Sequence, residues 1–396
     1  MNTGSTLFTQ LLSFATQYDF NQCVAKYQGS YDARKFSYWD QFLCMSFAQL
    51  TRRESLRDIE TCLRGSGVSL YHLGIRGGIS RNTLAKANEN RDYRIYAEYG
   101  QILMREAQQY YAGEELEVDL KQAVFALDST NIDLCLSLFP WAQFDEIRAG
   151  LRVSSLLNLR GNIPCFMHIT TMKESELQGM DALQLETGAI YVFDRGYFDW
   201  KRLNEFSKNS AHFVTRAKAD LKYRRLSSLP VKKETGVRSD QLITPFSDKA
   251  QDNFPGVLRR ITFFDSTTEQ RFVFLTNNLV LPPEIIAALY KSRWKIELFF
   301  KWIKQHLRIK TFLGRSPNAV KIQIWIAIST YLLIAIAKKK LQLPHSFYTI
   351  SQILSVCAFQ KIPIKEALSH NTLQKNRQSD EKSSNQLHLW GFPTGQ

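Results

Sequence analysis

Tyr290, Arg293, Glu297 and Lys304 stand at offsets of 0, 3, 7 and 14 within residues 283–307, PEIIAALYKSRWKIELFFKWIKQHL. A helix turns by about 100° per residue, so these offsets project to roughly 0°, −60°, −20° and −40°. One phenol, two cations and one carboxylate then share a stripe about 60° wide. A carboxylate flanked by cations suits a site that holds a metal and grips phosphates: arginine offers a bidentate fork and lysine a point charge. Mixed charges at these spacings also cover ordinary solvated helix faces, so the stripe alone does not decide.

Two more acids change the balance. Asp128 and Asp194 each follow a strand-length apolar run, residues 123–127 (AVFAL) and 189–193 (AIYVF). A carboxylate at the end of a buried strand lies at the sheet edge, where ligands collect in α/β architectures. Taken singly, such an aspartate more often closes a turn or caps a helix. Glu297 sits among Ile296, Leu298, Phe299 and Phe300, and a carboxylate on a buried face needs a partner or a metal. Three acids of this kind can hold two hard divalent cations. Mg²⁺ accepts few protein carboxylates and keeps positions for water and phosphate oxygens. That is the equipment for in-line displacement at phosphorus.

The elements that must position these residues follow from pattern and punctuation. Pro282 and Pro283 open the glutamate segment and no Gly or Pro follows until Gly314, which predicts one long helix. Ser316-Pro317 signals another helix running to Lys338–Lys340, a basic end that complements the helix dipole. Residues 151–159 and 163–170 flank Arg160-Gly161-Asn162 and read as a hairpin, and residues 211–215 (AHFVT) as a further strand. Residues 219–281 read as a β-rich insertion. It holds a basic segment with Lys222, Arg224, Arg225, Lys232 and Lys233, which suits a DNA backbone, then LRRITFF and RFVFLTNN around a polar turn. Residues 1–115 read as helical. A glycine-rich break at Gly74, Gly77 and Gly78 precedes Ser80, an N-cap for RNTLAKANENRDYRIYAEYG. This resembles a helix-turn-helix, with Arg81, Asn82, Lys86, Asn88 and Arg91 as candidates to face DNA. An ordinary helical bundle with a solvated polar face would read the same way.

Composition narrows the partner. The 396 residues carry a net charge of +14 and are 44% hydrophobic, enough for a large core and an excess that calls for a polyanion. The six cysteines form no CxxC pair and no zinc spacing, so reduced thiols in a cytoplasmic protein are expected. The N-terminus has no secretory signal pattern. The most apolar run, residues 324–337, is shorter than the roughly 20 residues of a membrane span and reads as a core helix.

Asp128 in ALDST, Asp194 in YVFDRGY and the Tyr290-x2-Arg293-x3-Glu297-x6-Lys304 signature resemble the IS-four-type insertion-sequence transposases of the DDE superfamily. The resemblance covers roughly residues 120–340. It implies an α/β fold: an RNase H-like catalytic core, a β-rich insertion before the glutamate helix, and an N-terminal helical DNA-binding domain. The divisions expected are 1–115 (helical, DNA-binding), 116–218 (core), 219–281 (insertion), 282–345 (core helices with the third acid) and 346–396 (a helical segment and a disordered tail). It implies that Asp128, Asp194 and Glu297 are catalytic and bind two Mg²⁺ ions, with Mn²⁺ able to substitute. Tyr290, Arg293 and Lys304 would hold DNA-end phosphates; apart from the resemblance, Arg195, Arg216, Lys218, Arg81 and Lys86 are further candidates for DNA contact as cations of a basic chain. The expected partners are double-stranded terminal inverted repeats and target DNA, met by a homodimer at the bacterial nucleoid, with no membrane.

Two departures from relatives stand out. Hairpin-forming relatives stack an extruded base on an insertion tryptophan, and this chain has none between Trp200 and Trp294. Phe263, Phe264 or Tyr223 could take that place. Arg152 and Ser154 stand where relatives often carry lysine and histidine. The alternatives are a catalytically inactive or domesticated DNA-binding protein, and a generic RNase H-like nuclease.

Overall fold

The computed structural model describes residues 4–29, 35–65, 70–76, 78–307, 309 and 311–369. Six helices come first: α1 (Leu7–Leu12), α2 (Gln17–Lys26), α3 (Tyr38–Leu50), α4 (Leu56–Gly65), α5 (Arg81–Asn90) and α6 (Tyr93–Tyr111). Their starts are written in the sequence. Ser37 and Asp40 form a reciprocal capping box at α3, and Ser80 accepts the Thr83 N–H at α5. The single helix expected after Ser80 is two. Arg91 is extended, and Asp92 caps α6 by accepting the Arg94 N–H at 2.8 Å. Arg91 also donates to the Phe36 and Ser37 carbonyls and lies 4.3 Å from the Tyr38 ring centre. Asn88 is buried and accepts from Gln41 Nε2 at 2.6 Å. Both were candidates to face DNA and are instead engaged in holding helices together. Arg81, Asn82 and Lys86 remain exposed.

The middle of the chain runs β1 (Val124–Leu134), β2 (Ala149–Asn158), β3 (Ile163–Thr171), α7 (Gln178–Asp181), β4 (Ile190–Phe193), α8 (Trp200–Lys208), β5 (His212–Arg216), β6 (Tyr223–Leu229), β7 (Val237–Pro245), α9 (Asp248–Asn253), β8 (Leu258–Asp265) and β9 (Gln270–Thr276). Together the strands make one nine-stranded sheet in the order β3-β2-β1-β4-β5-β9-β8-β7-β6. β1 is antiparallel to β2 and parallel to β4, and β4 is parallel to β5. β9 then joins β5 in antiparallel fashion, so residues 219–281 extend this sheet rather than building a separate one. The basic segment after Lys218 is the edge strand β6, which sequence patterning did not distinguish because it has no apolar face to alternate.

Side chains alternate across the sheet. Val124 and Ala126 face a core shared with α6 and the later helices, while Phe125 and Leu127 face an aromatic cluster with Phe193, Phe206 and Phe213. The chain closes with α10 (Pro283–Ser292), α11 (Trp294–His306), α12 (Pro317–Lys340), α13 (Phe347–Cys357) and α14 (Ile364–Ser369). α12 is long and apolar enough to cross a membrane, but 94% of its apolar window is buried inside this fold, against α3, α5, α6 and α13. Gly77 and the expected disordered tail lie outside the described residues.

The long helix expected over residues 283–307 is broken at Arg293. Ser292 Oγ donates to the Leu289 carbonyl at 2.8 Å. The Arg293 and Ile296 amides then bond three residues back, to Tyr290 and Arg293. A side chain competing for the carbonyl ladder and a tightened turn are ordinary causes of a kink.

Candidate active site

β1 does not end before Asp128, as its apolar run suggested, but continues to Leu134 because β2 pairs with it throughout. What ends is the parallel pairing with β4, whose last pair is Leu127↔Phe193. Asp128 and Asp194 are therefore the next residues on two neighbouring strands, at the point where those strands part. Asp128 Oδ1 accepts the Ser129 N–H at 2.8 Å. Asp194 caps a single tight turn over Arg195–Tyr197 and accepts the Gly196 N–H at 2.5 Å. The Thr215 hydroxyl donates to the Asp194 carbonyl at 3.2 Å and ties the turn to β5.

The third acid arrives from above, since α11 packs on β1. Arg293, at the kink, reaches both ways: Nη1 donates to Asp128 Oδ2 at 3.0 Å and Nη2 to Glu297 Oε1 at 2.5 Å. The Arg293 and Asp128 side chains are 15% and 18% exposed, but that of Glu297 is 55% exposed. Glu297 thus departs from its expected burial. Its neighbours Ile296, Phe299 and Phe300 turn into the core, while the carboxylate faces the cleft with Arg293 as its partner.

Burial pushes the Asp128 carboxyl up to about 6. The Ser129 N–H and the Arg293 charge pull it down, while Asp194 and Glu297 push it further up. A carboxyl that holds its proton more tightly in the fold than in the open chain lends stability below the ordinary carboxylate range. That contribution is lost as pH rises through about 6. If Asp128 binds a metal, as the resemblance implies, its ionised form would be the ligand, and divalent binding should run the opposite way. Cleavage at limiting metal is expected to climb as pH passes about 6 and to level off above it. A rate independent of pH from acid to neutral conditions would contradict this assignment.

Gly196 gives a second expectation. A Cβ at this position would lie 2.9 Å from Asp194 Oδ1, too close unless the carboxylate shifts. Gly196 is exposed, so the strain falls on Asp194 rather than on the core. Gly196→Ala should lower metal-dependent cleavage by about ten- to a hundredfold, with the unfolding midpoint moved by no more than about 2 °C. Equal losses in stability and activity would show that the glycine serves the fold instead.

The remaining predicted residues separate into groups. Tyr290 packs on Phe274 at 5.0 Å between ring centres, and the Arg293 guanidinium lies 5.8 Å from the Tyr290 ring. Arg216 stacks on Phe272 at 5.2 Å. Arg216, Tyr290 and Arg293 share a cavity of about 390 Å³ with Phe263, Phe272 and Trp294. Lys304 is half-buried in the last turn of α11, two turns or roughly 10 Å along the helix from Glu297. Arg195 is exposed on the turn after Asp194, and Lys218 donates to the Phe198 carbonyl at 3.3 Å. Arg81 and Lys86 belong to α5, which packs on α4 and α12, and the Arg81 N–H already donates to Glu60 at 2.8 Å. Of the stand-in aromatics, Phe263 lines the cavity, while Tyr223 lies under Arg260 and Phe264 under Arg238. Sequence reasoning passed over Phe272 and Trp294, and also Glu176, which accepts the Ser129 hydroxyl.

The acids supply hard oxygen donors, the set Mg²⁺ and Mn²⁺ take. Among the described residues, no three Asp, Glu, His or Cys side chains are gathered closely enough to hold a metal. The Arg293 guanidinium spans the gap between Asp128 and Glu297 and supplies the positive charge there. Donor chemistry and charge fit a divalent cation that takes the place of the arginine fork.

A family model described as a transposase DDE domain matches residues 119–333. One described as a domain of unknown function matches residues 3–76. The chain is 30% identical over 281 residues to a putative transposase, y4zB, of Sinorhizobium fredii, across 70% of this chain and 77% of that one. It is 26% identical over 273 residues to a putative transposase for insertion sequence element IS4SA of Synechocystis, across 66% of this chain and 73% of that one. Among solved structures, a cryo-EM piggyBac transposase synaptic complex with hairpin DNA aligns with a TM-score of 0.42 and 8% identity, over 94% of this chain and 83% of that one.

Proposed function

The chain belongs to the DDE transposases of the IS-four insertion-sequence type, and from that premise we propose that Asp128, Asp194 and Glu297 form its DNA cleavage centre. As a transposase it cleaves and transfers DNA. The observation that carries the assignment of residues is the Arg293 fork, which bridges Asp128 and Glu297 beside the strand that leads into Asp194. Three chain segments far apart in sequence converge there, and a purely structural role would not need three acids at one strand opening.

In this reading the sheet from β1 to β5 is an RNase H-like core, β6 to β9 are its insertion, and α1–α6 are the helical DNA-binding part. Asp128, Asp194 and Glu297 would hold two Mg²⁺ ions, which when bound supply Lewis-acid activation of the attacking oxygen and stabilise the leaving one. Arg293 then turns its fork to a DNA-end phosphate, with Tyr290 and Lys304 beside it. Phe263, Phe272 and Trp294 offer ring faces to a base drawn out of the helix. Exposed Arg224, Arg225, Lys232 and Lys233 follow the DNA backbone. The substrates are terminal inverted repeats and target DNA, joined by cut-and-paste within a homodimer at the nucleoid.

Strand joining tests the reading against a nuclease. A labelled repeat-end duplex with a free 3′-OH is incubated with supercoiled target and Mg²⁺. Label covalently joined to the target is expected. Hydrolysed ends without joined product would favour a nuclease, and binding without scission an inactive DNA-binding protein.

A further inference from the structure

Glu176 lies on the link between β3 and α7. One oxygen, Oε1, accepts the Ser129 hydroxyl, and the Ser129 N–H holds Asp128 Oδ1. The other faces the second aspartate's turn: the position a Cβ would take on Gly196 is 3.8 Å from Glu176 Oε2 and 2.9 Å from Asp194 Oδ1.

The link that carries Glu176 is itself pinned. Arg152 Nη1 donates to the Glu174 carbonyl at 2.6 Å. The Glu174 carboxylate accepts the Thr171 N–H and hydroxyl at 3.1 and 3.2 Å. Gly179 lets α7 press on β2, since a Cβ there would meet Ser154 Oγ at 2.6 Å. Ser154 is the register partner of Ser129. Arg152 and Ser154, two departures from relatives, thus seat the segment that brings Glu176 to Ser129.

Resting on the reading of Asp128 and Asp194 as cleavage acids, we propose that Glu176 is a positioning residue of that centre. It clamps the Ser129 hydroxyl and so fixes the backbone whose N–H orients the Asp128 carboxylate. The clamp needs an acceptor, not a charge, and a glutamine carbonyl oxygen can supply it.

The test compares full-length Glu176→Ala, Glu176→Gln, Ser129→Ala and the Ser129→Ala/Glu176→Ala double variant. Three readouts are used: cleavage of repeat-end DNA, Mn²⁺ binding without DNA by electron paramagnetic resonance, and DNA binding in EDTA. Glu176→Ala should weaken Mn²⁺ binding and slow cleavage by about ten- to a hundredfold, with DNA binding unchanged. Glu176→Gln should stay within about threefold of wild type, and the double variant should be no worse than either single change, as for residues acting through one contact. Mn²⁺ binding and cleavage unchanged in Glu176→Ala, a glutamine variant as impaired as alanine, or additive losses would each overturn the proposal. Asp194→Ala run in parallel separates the two claims: if it is inactive while Glu176→Ala is not, the centre stands and the positioning role falls.

Discussion

Asp194→Asn is expected to lose metal-dependent cleavage by more than about a thousandfold, while binding to repeat-end DNA in EDTA stays within about twofold. The substitution is nearly isosteric. The asparagine carbonyl oxygen can still accept the Gly196 N–H that Asp194 takes at 2.5 Å, and the Thr215 bond goes to the backbone carbonyl. The turn that Asp194 caps should therefore survive, and the unfolding midpoint with it. What is lost is one negative charge beside Asp128. Because Asp194 helps raise the Asp128 carboxyl, the pH at which residual activity appears should also fall. If Asp194 only closed a turn, asparagine would do so equally well. Cleavage within about tenfold of wild type would then remove Asp194 from the centre.

Arg293→Ala should separate two properties that usually move together. In the free protein Arg293 is the internal cation for Asp128 and Glu297, and on the proposed reading a divalent ion would compete with it. Removing it should tighten Mn²⁺ binding without DNA, on the order of tenfold, the equivalent of one unit of pKa between charge states. Cleavage should nevertheless fall by about a hundredfold or more, because the fork proposed to grip the DNA-end phosphate would be gone. Arg293→Lys keeps the charge but not the fork, so it should bind Mn²⁺ much as wild type does while cleaving poorly. Weaker Mn²⁺ binding in Arg293→Ala would mean that the arginine organises the acids instead of competing for them. Calorimetric or spectroscopic titration across a pH series from about 8 upward distinguishes the two, since Asp128 stands at about 6 with Arg293 in place and losing that charge raises it further.

Much of this was legible in the sequence, for identifiable reasons. Asp128 and Asp194 stood out because each closes a fully apolar run, and the parallel register sets them side by side. The helix caps at Ser80 and Ser316 held, as local side-chain-to-backbone bonds do. Long-range pairing was not legible. The extension of β1 beyond Asp128 depends on β2, and the joining of β9 to β5 depends on a partner about 60 residues away. The break at Arg293 comes from a serine bonding back to Leu289, a choice helix periodicity does not record. Asn88 and Arg91 look like DNA contacts in sequence because the Gln41 amide that donates to Asn88, and the Ser37 carbonyl and Tyr38 ring that engage Arg91, come from a distant helix and its cap. Glu176 carries no local signal, since its meaning lies in Ser129, 47 positions away.

The central claim is that the three acids form one metal-dependent DNA-cleaving centre. Cleavage of a labelled duplex carrying the native flanking repeats, in EDTA, Mg²⁺ and Mn²⁺, with Glu297→Ala alongside, tests it most directly. New 3′-OH ends at the repeat boundary, formed only with a divalent ion and lost in Glu297→Ala, are predicted. Scission in EDTA, or a Glu297→Ala variant that cleaves as well as wild type, would contradict it.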